Sequence, residues 1–393
     1  MKHIISRWRA TWNPDMYHGW GRKRSYFEGW YFKIVDPTEG YALAFIPGIS
    51  MGKDGKSHAF IQTIDGKKCT TTYERFDTTD FQAHEKHFHL QIADNQFSTN
   101  KIKINLPNIK GELSFENIAT WPKMLGAPGI MGWFSFAPFM ECYHGVVSLD
   151  HSLKGSLNVN GEVIDFTNGR GYIEKDWGFS FPKGYIWMQT NHFEEAEAPP
   201  FATQQSAPQP PKGEFTQQDY LVKDTILQKA IETENEFIQS PPLGVGGLKV
   251  ELQSPPLGAG GLSYSLIASV ANIPWLGSSF IGYIVGFWFQ NKLYRFATYT
   301  GARMTAQLDG NHIRLAFKDS RNRLEIDAVK SGTGTLISPI EGEMTGKINE
   351  SLQAIINVRF YEKDQLIFEG TGRNAGLEAA GDVDLLLTNQ WRR

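Results

Sequence analysis

Alternation of apolar and polar side chains with a period of two residues is the strongest constraint on the fold of this chain. The clearest case is residues 25–35, SYFEGWYFKIV, in which one face of an extended strand holds Tyr26, Glu28, Trp30, Phe32 and Ile34. Comparable short runs occur at 41–46, 58–64, 88–93, 142–149, 155–159, 185–193, 292–299, 312–317 and 354–362. Helical periodicity is scarce, with candidates only at 224–237 and near the carboxyl end. Together with 39 Gly and 19 Pro, the pattern predicts an all-β barrel or sandwich.

The composition changes sharply after residue 193. The segment begins EEAEAPPFATQQSAPQPPKGE, and SPPLGVGGL at 240–248 recurs as SPPLGAGGL at 254–262. Such a stretch has too few large apolar side chains to offset the entropy of ordering the chain. We therefore expect a low-complexity insertion at 194–264 between barrel-like domains at 1–193 and 265–393. A mobile surface loop is favoured over a Pro-rich docking segment.

Charge, cysteine content and motifs exclude several classes of function. The formal net charge is −3, so nucleic acid is not an expected partner. Cys69 and Cys142 lack the spacing of a disulfide framework or a zinc site. The chain has no P-loop, GxGxxG, GxSxG or HExxH motif, so we expect no cofactor. The segment HEKHFHL contains His84, His87 and His89, which could bind a metal. We favour the other interpretation, in which these are exposed histidines of an edge strand without a metal.

Two segments are relevant to where the protein is located in the cell. The amino-terminal stretch MKHIISRWRATWNPDMYHGW lacks the apolar core of a secretory signal, so we expect a cytoplasmic protein. Residues 265–289 carry no charge and are long enough to span a bilayer. Asn272, Pro274 and Gly277 interrupt this stretch, which favours two buried strands around a turn, with peripheral membrane contact as an alternative.

The segment 168–193, NGRGYIEKDWGFSFPKGYIWMQTNHF, holds the most informative side chains. Two strands joined by a Gly/Pro turn would each show one polar and aromatic face: Arg170, Tyr172, Glu174 and Asp176 on the first, and Tyr185, Trp187, Gln189 and Asn191 on the second. If this face points into a barrel, burial raises the pKa of Glu174 and Asp176 and makes them useful acids. If it points outward, both charges are simply solvated.

Glu28 raises the same question, because its neighbours on one strand face are aromatic. A carboxyl on such a face is either a functional group or one half of a structural pair with a basic residue such as Arg170. His58 and His144 are isolated on strands, where a histidine is more often satisfied by local contacts than catalytic.

Four blocks resemble the tocopherol cyclase family. They are YHGWGRKRSYFEGWYFK at 17–33, GRGYIEKDWGFSFPKGYIWMQTNHFE at 169–194, FIGYIVGFWFQNKLYRFATYTGA at 280–302 and GTGRNAGLE at 370–378. The resemblance implies two lipocalin-like antiparallel β-barrel domains, whose interior would bind a long apolar ligand. It also implies an isomerase-type, cofactor-independent cyclisation of a prenylated benzoquinol to a chromanol, a step of tocopherol biosynthesis.

That reaction needs a proton for an alkene, a dry site for a tertiary cation and a phenolic oxygen aimed at the cation. The expected acid is Asp176 or Glu174, with Glu28 in reserve. The residues expected to bind the substrate are Tyr26, Trp30, Arg170, Tyr172, Lys175, Trp177, Trp187, Gln189 and Asn191; the rings would stabilise the cation, and the polar groups would orient the phenol. The alternative is a non-catalytic carrier of lipid, quinone or isoprenoid, since such barrels host both functions.

Overall fold

Two antiparallel β-sheets form most of the protein. The computed structural model describes residues 2–195 and 264–391. Within these ranges the α-helices are α1 (Lys2–Thr11) and α2 (Asp384–Trp391), the second of which is the short helix predicted near the carboxyl end. The helix predicted at 224–237, the nine-residue repeat and nearly all of the predicted insertion lie outside the described residues. The predicted fold class, all-β with antiparallel sheets, is confirmed.

The first sheet has twelve strands and contains the amino-terminal part of the chain. Its strands are β1 (Tyr26–Val35), β2 (Ala42–Met51), β3 (Ser57–Asp65), β4 (Thr70–Phe76), β5 (Phe81–Ala83), β6 (His89–Ile92), β7 (Asn95–Ser98), β8 (Lys101–Asn105), β9 (Ile109–Ala119), β10 (Cys142–Val159), β11 (Glu162–Asp165) and β12 (Arg170–Gly178). They follow the order β4-β3-β2-β1-β12-β10-β9-β8-β7-β6-β5, and β11 pairs with β10. Thus β12, which carries the predicted acids, lies between β1 and β10.

The second sheet has eleven strands. They are β13 (Gly184–Thr190), β14 (His192–Glu195), β15 (Ser265–Trp275), β16 (Ser278–Phe289), β17 (Lys292–Ala297), β18 (Arg303–Asp309), β19 (His312–Lys318), β20 (Asn322–Val329), β21 (Thr333–Ile340), β22 (Glu343–Glu362) and β23 (Gln365–Gly381). The order is β17-β16-β15-β13-β23-β22-β20-β19-β18, with β14 on β23 and β21 on β22. The chain therefore crosses from the first sheet to the second within residues 179–183.

Several local predictions are confirmed by these strands. Residues 265–289 form the β15–β16 hairpin, in which Trp275 pairs with Ser278 around a turn at Leu276 and Gly277. Both turn residues have positive φ, 46° and 84°, which glycine adopts without the steric penalty of a side chain. Among the described residues, no helix is long and apolar enough to cross a membrane.

The buried apolar side chains form three clusters. One cluster lies on one face of the first sheet and includes Trp30 and Phe32. A second lies on one face of the second sheet and includes Ile186 and Phe287. Bulky buried side chains occupy both of these regions, and a ligand inside a barrel stays a prediction. The third cluster, which contains Trp187, joins side chains of both sheets, which belong to one compact unit.

Candidate active site

A pocket between the two sheets, called here the intersheet pocket, collects most of the chemistry-bearing side chains. It contains about 1260 Å³ of space free of protein atoms, including the part that is open to solvent. Apolar side chains supply most of the lining, among them Phe27, Ile46, Phe134, Phe280, Ile337 and Ile348. Its ionisable and aromatic polar groups are Tyr31, Cys142, His144, Glu174, Asp176, Tyr185, Trp187, Tyr283, Glu350 and Glu378. A pocket of this kind combines apolar walls with a few convergent polar groups, as small-molecule sites do.

Strand register explains how three of these groups meet. On β12, Glu174 and Asp176 point to the same side because side chains alternate along a strand. Their neighbours on β10 are Val146 and His144, respectively. Glu174 and Asp176 of the predicted β12 face therefore line the intersheet pocket, next to His144, for which a locally satisfied role was favoured from the sequence.

His144 bridges the two predicted acids. Its Nδ1 lies 2.9 Å from Asp176 Oδ1, and its Nε2 lies 3.4 Å from Glu174 Oε2. Burial alone would lower the pKa of His144, but the two carboxylates outweigh burial and raise it to about 10. The raised pKa favours the charged form of the ring at neutral pH. We call His144, Glu174 and Asp176 the His144 cluster.

Aromatic hydrogen bonds hold Glu174 in place. Its Oε2 accepts hydrogen bonds from Tyr172 Oη at 2.6 Å and from Trp187 Nε1 at 3.1 Å. Trp187 also packs edge to face on Tyr31, with ring centroids 5.3 Å apart. Asp176 is the more accessible carboxyl, with 29% of its side chain exposed. One carboxyl is therefore fixed among aromatic rings, and the other is partly open to solvent.

Two glutamates of the second sheet complete the polar lining. Glu350 and Glu378 are direct neighbours across β22 and β23. Glu350 accepts a hydrogen bond from Tyr31, and Glu378 accepts one from Tyr185. Neither glutamate was predicted from the sequence, although Glu378 ends the block GTGRNAGLE, a position that could have indicated it.

Glu28 lies on the opposite face of the first sheet, outside the pocket lining. It forms a fully buried ion pair with Lys175, at 2.5 Å from Oε1 to Nζ. Its carboxylate also accepts hydrogen bonds from Tyr26 and from the backbone N–H groups of His18 and Gly19. Of the two alternatives for Glu28, the structure has the pair with a basic residue, but the partner is Lys175 rather than Arg170.

Two further predicted aromatic residues belong to this opposite face. Lys175 Nζ lies 4.7 Å from the ring centres of both Trp30 and Trp177. Trp177 stacks on His18, with ring centroids 4.1 Å apart. These rings already surround a cation, but that cation is a lysine of the protein and is not in the pocket.

The remaining predicted polar residues serve two buried networks near the start of β12. Arg170 pairs with Asp150 at 2.8 Å, and Asn191 Nδ2 donates to the same carboxylate at 2.8 Å. Gln189 Oε1 accepts a hydrogen bond from Lys33 Nζ at 2.8 Å. None of these residues lines the intersheet pocket.

The His144 cluster is also the group best suited to a cation. One ligand atom from each of its three side chains lies within 4.8 Å of the others. Within the described ranges, His84, His87 and His89 belong to no group of three ligand atoms that lie this close together. A metal at the cluster would have to replace the contacts that His144 makes with both carboxylates.

The two antiparallel sheets and the pocket between them define an all-β protein. A model of the family described as tocopherol cyclase-like matches residues 103–204, which confirms the resemblance predicted from the sequence. The matched segment includes β12, β13 and all three residues of the His144 cluster.

Two curated plant proteins and one solved structure are similar to the chain. "Probable tocopherol cyclase, chloroplastic" of Oryza sativa subsp. japonica is 23% identical over 46% of this chain and 49% of its own length. "Tocopherol cyclase, chloroplastic" of Zea mays is 22% identical over 45% of this chain and 48% of its own length. The chain thus spans about half the length of the curated relatives it matches. The crystal structure of CghA is 9% identical with a TM-score of 0.47, covering 91% of this chain and 89% of CghA.

Proposed function

We propose that this protein is a cofactor-independent enzyme that cyclises a prenylated benzoquinol to a chromanol. The observation that carries the proposal is the intersheet pocket, which combines apolar walls with the buried His144 cluster. An apolar pocket shields a tertiary cation from water, and aimed carboxylates stabilise its charge. The family match and the names of the two plant relatives favour this reaction over other isoprenoid chemistry.

Each part of the His144 cluster has a role in this proposal. Glu174 lies beside the rings of Trp187 and Tyr31, so its negative charge and their π faces together would stabilise the cation. Asp176, which is partly exposed and bonded to His144, would exchange the reaction's protons with solvent. Both residues were predicted from the sequence as acids. In this proposal, Glu174 stabilises the cation and Asp176 transfers protons.

The test is incubation of the purified protein with phytyl or geranylgeranyl benzoquinol under reducing conditions, followed by chromatography and mass analysis. Wild-type protein should form the chromanol, and Asp176→Asn and Glu174→Gln should each lower turnover by about 10²-fold to 10⁴-fold. The matched control is Asp309→Asn, an exposed residue at the end of β18. Ligand that binds but is never converted by wild-type protein would refute the cyclase and favour the carrier.

Contact with a membrane surface is a separate part of the proposal. Helix α1 exposes Ile4, Ile5 and Trp8, with 62% of Trp8 exposed, and carries Arg7 and Arg9. Apolar side chains next to basic ones are the features with which amphipathic helices bind anionic membranes. Wild-type protein should co-sediment with anionic vesicles, and Trp8→Ser should weaken this binding; equal sedimentation of both proteins would contradict the role of α1.

A further inference from the structure

Glu350 and Glu378 form an acidic pair at the wall of the intersheet pocket. They occupy opposite positions on the antiparallel strands β22 and β23, so their side chains lie on the same face. Glu350 is 1% exposed and Glu378 is 8% exposed. Two carboxylates so close together in an apolar wall repel each other and lack the solvation that water provides.

The partners of the pair do not neutralise its charge. Tyr31 Oη donates to Glu350 Oε1 at 2.5 Å, and Tyr185 Oη donates to Glu378 Oε2 at 2.7 Å. Within residues 2–195 and 264–391, no lysine, arginine or histidine forms an ion pair with either carboxyl. In the same ranges, Glu350 Oε2 is buried and has no hydrogen-bond partner. This atom is therefore available to hold a proton.

We propose that the Glu350–Glu378 pair stores the proton that the pocket delivers to the alkene of its substrate. The inference rests on the proposed cyclisation and adds its acid. Two carboxyls that share one proton are an established way to keep an acid protonated near neutral pH. The His144 cluster is less suited to this step, because its two carboxylates are already paired with an imidazolium.

The electrostatic surroundings agree with a protonated pair. The titratable groups that act on it are Tyr31, Lys33, Glu174, Asp176, Tyr185 and Lys330. Burial, and then the charge of Glu378, raise the pKa of Glu350 well above its usual value. Burial also raises the pKa of Glu378 to about 7, although hydrogen bonds from its neighbours oppose the shift. Both directions favour the acid form at and below neutral pH.

The chemical step balances without a further reactant. The O–H bond of the protonated carboxyl breaks, a C–H bond forms at one alkene carbon, and the other carbon becomes a tertiary cation. The phenolic oxygen then forms a C–O bond to that cation and releases its proton to Asp176. Asp176 returns a proton to water, and the pair takes one up, so the net reaction is an isomerisation.

The first experiment measures turnover against pH. Glu350→Gln and Glu378→Gln should each lower kcat by about 10²-fold to 10⁴-fold. In wild-type protein, kcat should fall about tenfold per pH unit above the pKa of the pair. The exposed residue Glu369, on the same strand β23 and paired with Arg359, provides the control variant Glu369→Gln. Unchanged kcat and an unchanged pH profile in both pair variants would overturn the inference.

The second experiment does not depend on turnover. Infrared difference spectra of wild-type protein, recorded without substrate, should show a protonated carboxyl band that disappears as the pH rises through about 7. The band should be altered in Glu378→Gln and retained in Glu369→Gln. A wild-type protein with no such band refutes the proton store, whatever its activity and whether or not the variants fold. A wild-type protein with the band but no chromanol product refutes the proposed cyclisation instead.

Discussion

The buried ion pair between Glu28 and Lys175 makes a sharp test of the structure, because the two side chains are both fully buried. The perturbation is Glu28→Gln, which keeps the size and shape of the side chain but removes its charge. Lys175 would retain its contacts with Met16 O and with His18 Nδ1 at 2.8 Å. It would lose the only counter-charge that pairs with it among the described residues.

The expected loss is large for one substitution. Breaking a buried ion pair by removing one partner destabilises a protein by about 3–5 kcal/mol, because the remaining charge is left buried and uncompensated. His18 cannot replace the lost negative charge, because an imidazole ring is either neutral or positive. Burial, and then the charge of Lys175, lower the pKa of His18 to about 4, so this ring adds no second positive charge at pH 7. Replacing both partners, as in Glu28→Gln with Lys175→Met, should recover much of the loss.

Urea denaturation measures this loss directly, as a lower unfolding midpoint with little change in slope. The matched control is Glu112→Gln, which breaks the half-exposed pair between Lys101 and Glu112 at 2.7 Å. Pairs of that kind contribute about 0–1 kcal/mol. A loss in Glu28→Gln that equals the control, or a double variant no more stable than the single one, would refute the reasoning.

Three further predictions concern the pocket and its walls. The raised pKa of His144, about 10 against 6.5 when unfolded, gives a stability contribution that is complete below pH 6.5 and is lost as the pH rises through 10. The free energy of unfolding of wild-type protein should therefore exceed that of His144→Gln by an amount that falls as the pH rises from 6.5 through 10. A difference that does not change with pH would contradict this prediction. Gly286→Ala should destabilise the fold by about 1–3 kcal/mol, since a Cβ there would lie 2.5 Å from the Trp121 ring; calorimetry with no loss would contradict this. Trp187→Phe should cost about 1.5–3 kcal/mol by removing the hydrogen bond to Glu174, and unchanged urea unfolding would argue against that bond.

Alternation along strands predicted much of the fold and part of the site. Within 168–193, it correctly grouped Glu174 with Asp176 and separated them from Lys175, because the period of side-chain direction in a strand is two residues. It also resolved residues 265–289 into two strands, since Pro274 and Gly277 cannot continue a regular helix.

What alternation could not provide is the partner of each face. Glu28 follows the same pattern as the pocket residues, yet it faces Lys175 rather than the intersheet pocket. The partners of Glu350 depend on which strands pair and on which sheets face each other. These contacts join residues far apart in sequence, as the hydrogen bond from Tyr31 to Glu350 does. For the same reason, the sequence could not connect His144 with Glu174 and Asp176, since these contacts depend on the register between β10 and β12.

The crossing of the chain at residues 179–183 has a consequence for folding during synthesis. Strand β13 is made soon after β12, but it lies in the second sheet between β15 and β23. Both of its edges must therefore wait for strands that the ribosome makes later, and unpaired edges are prone to wrong pairing. Since β23 also carries Glu378, the pocket gains this wall only after residues 365–381 have been translated.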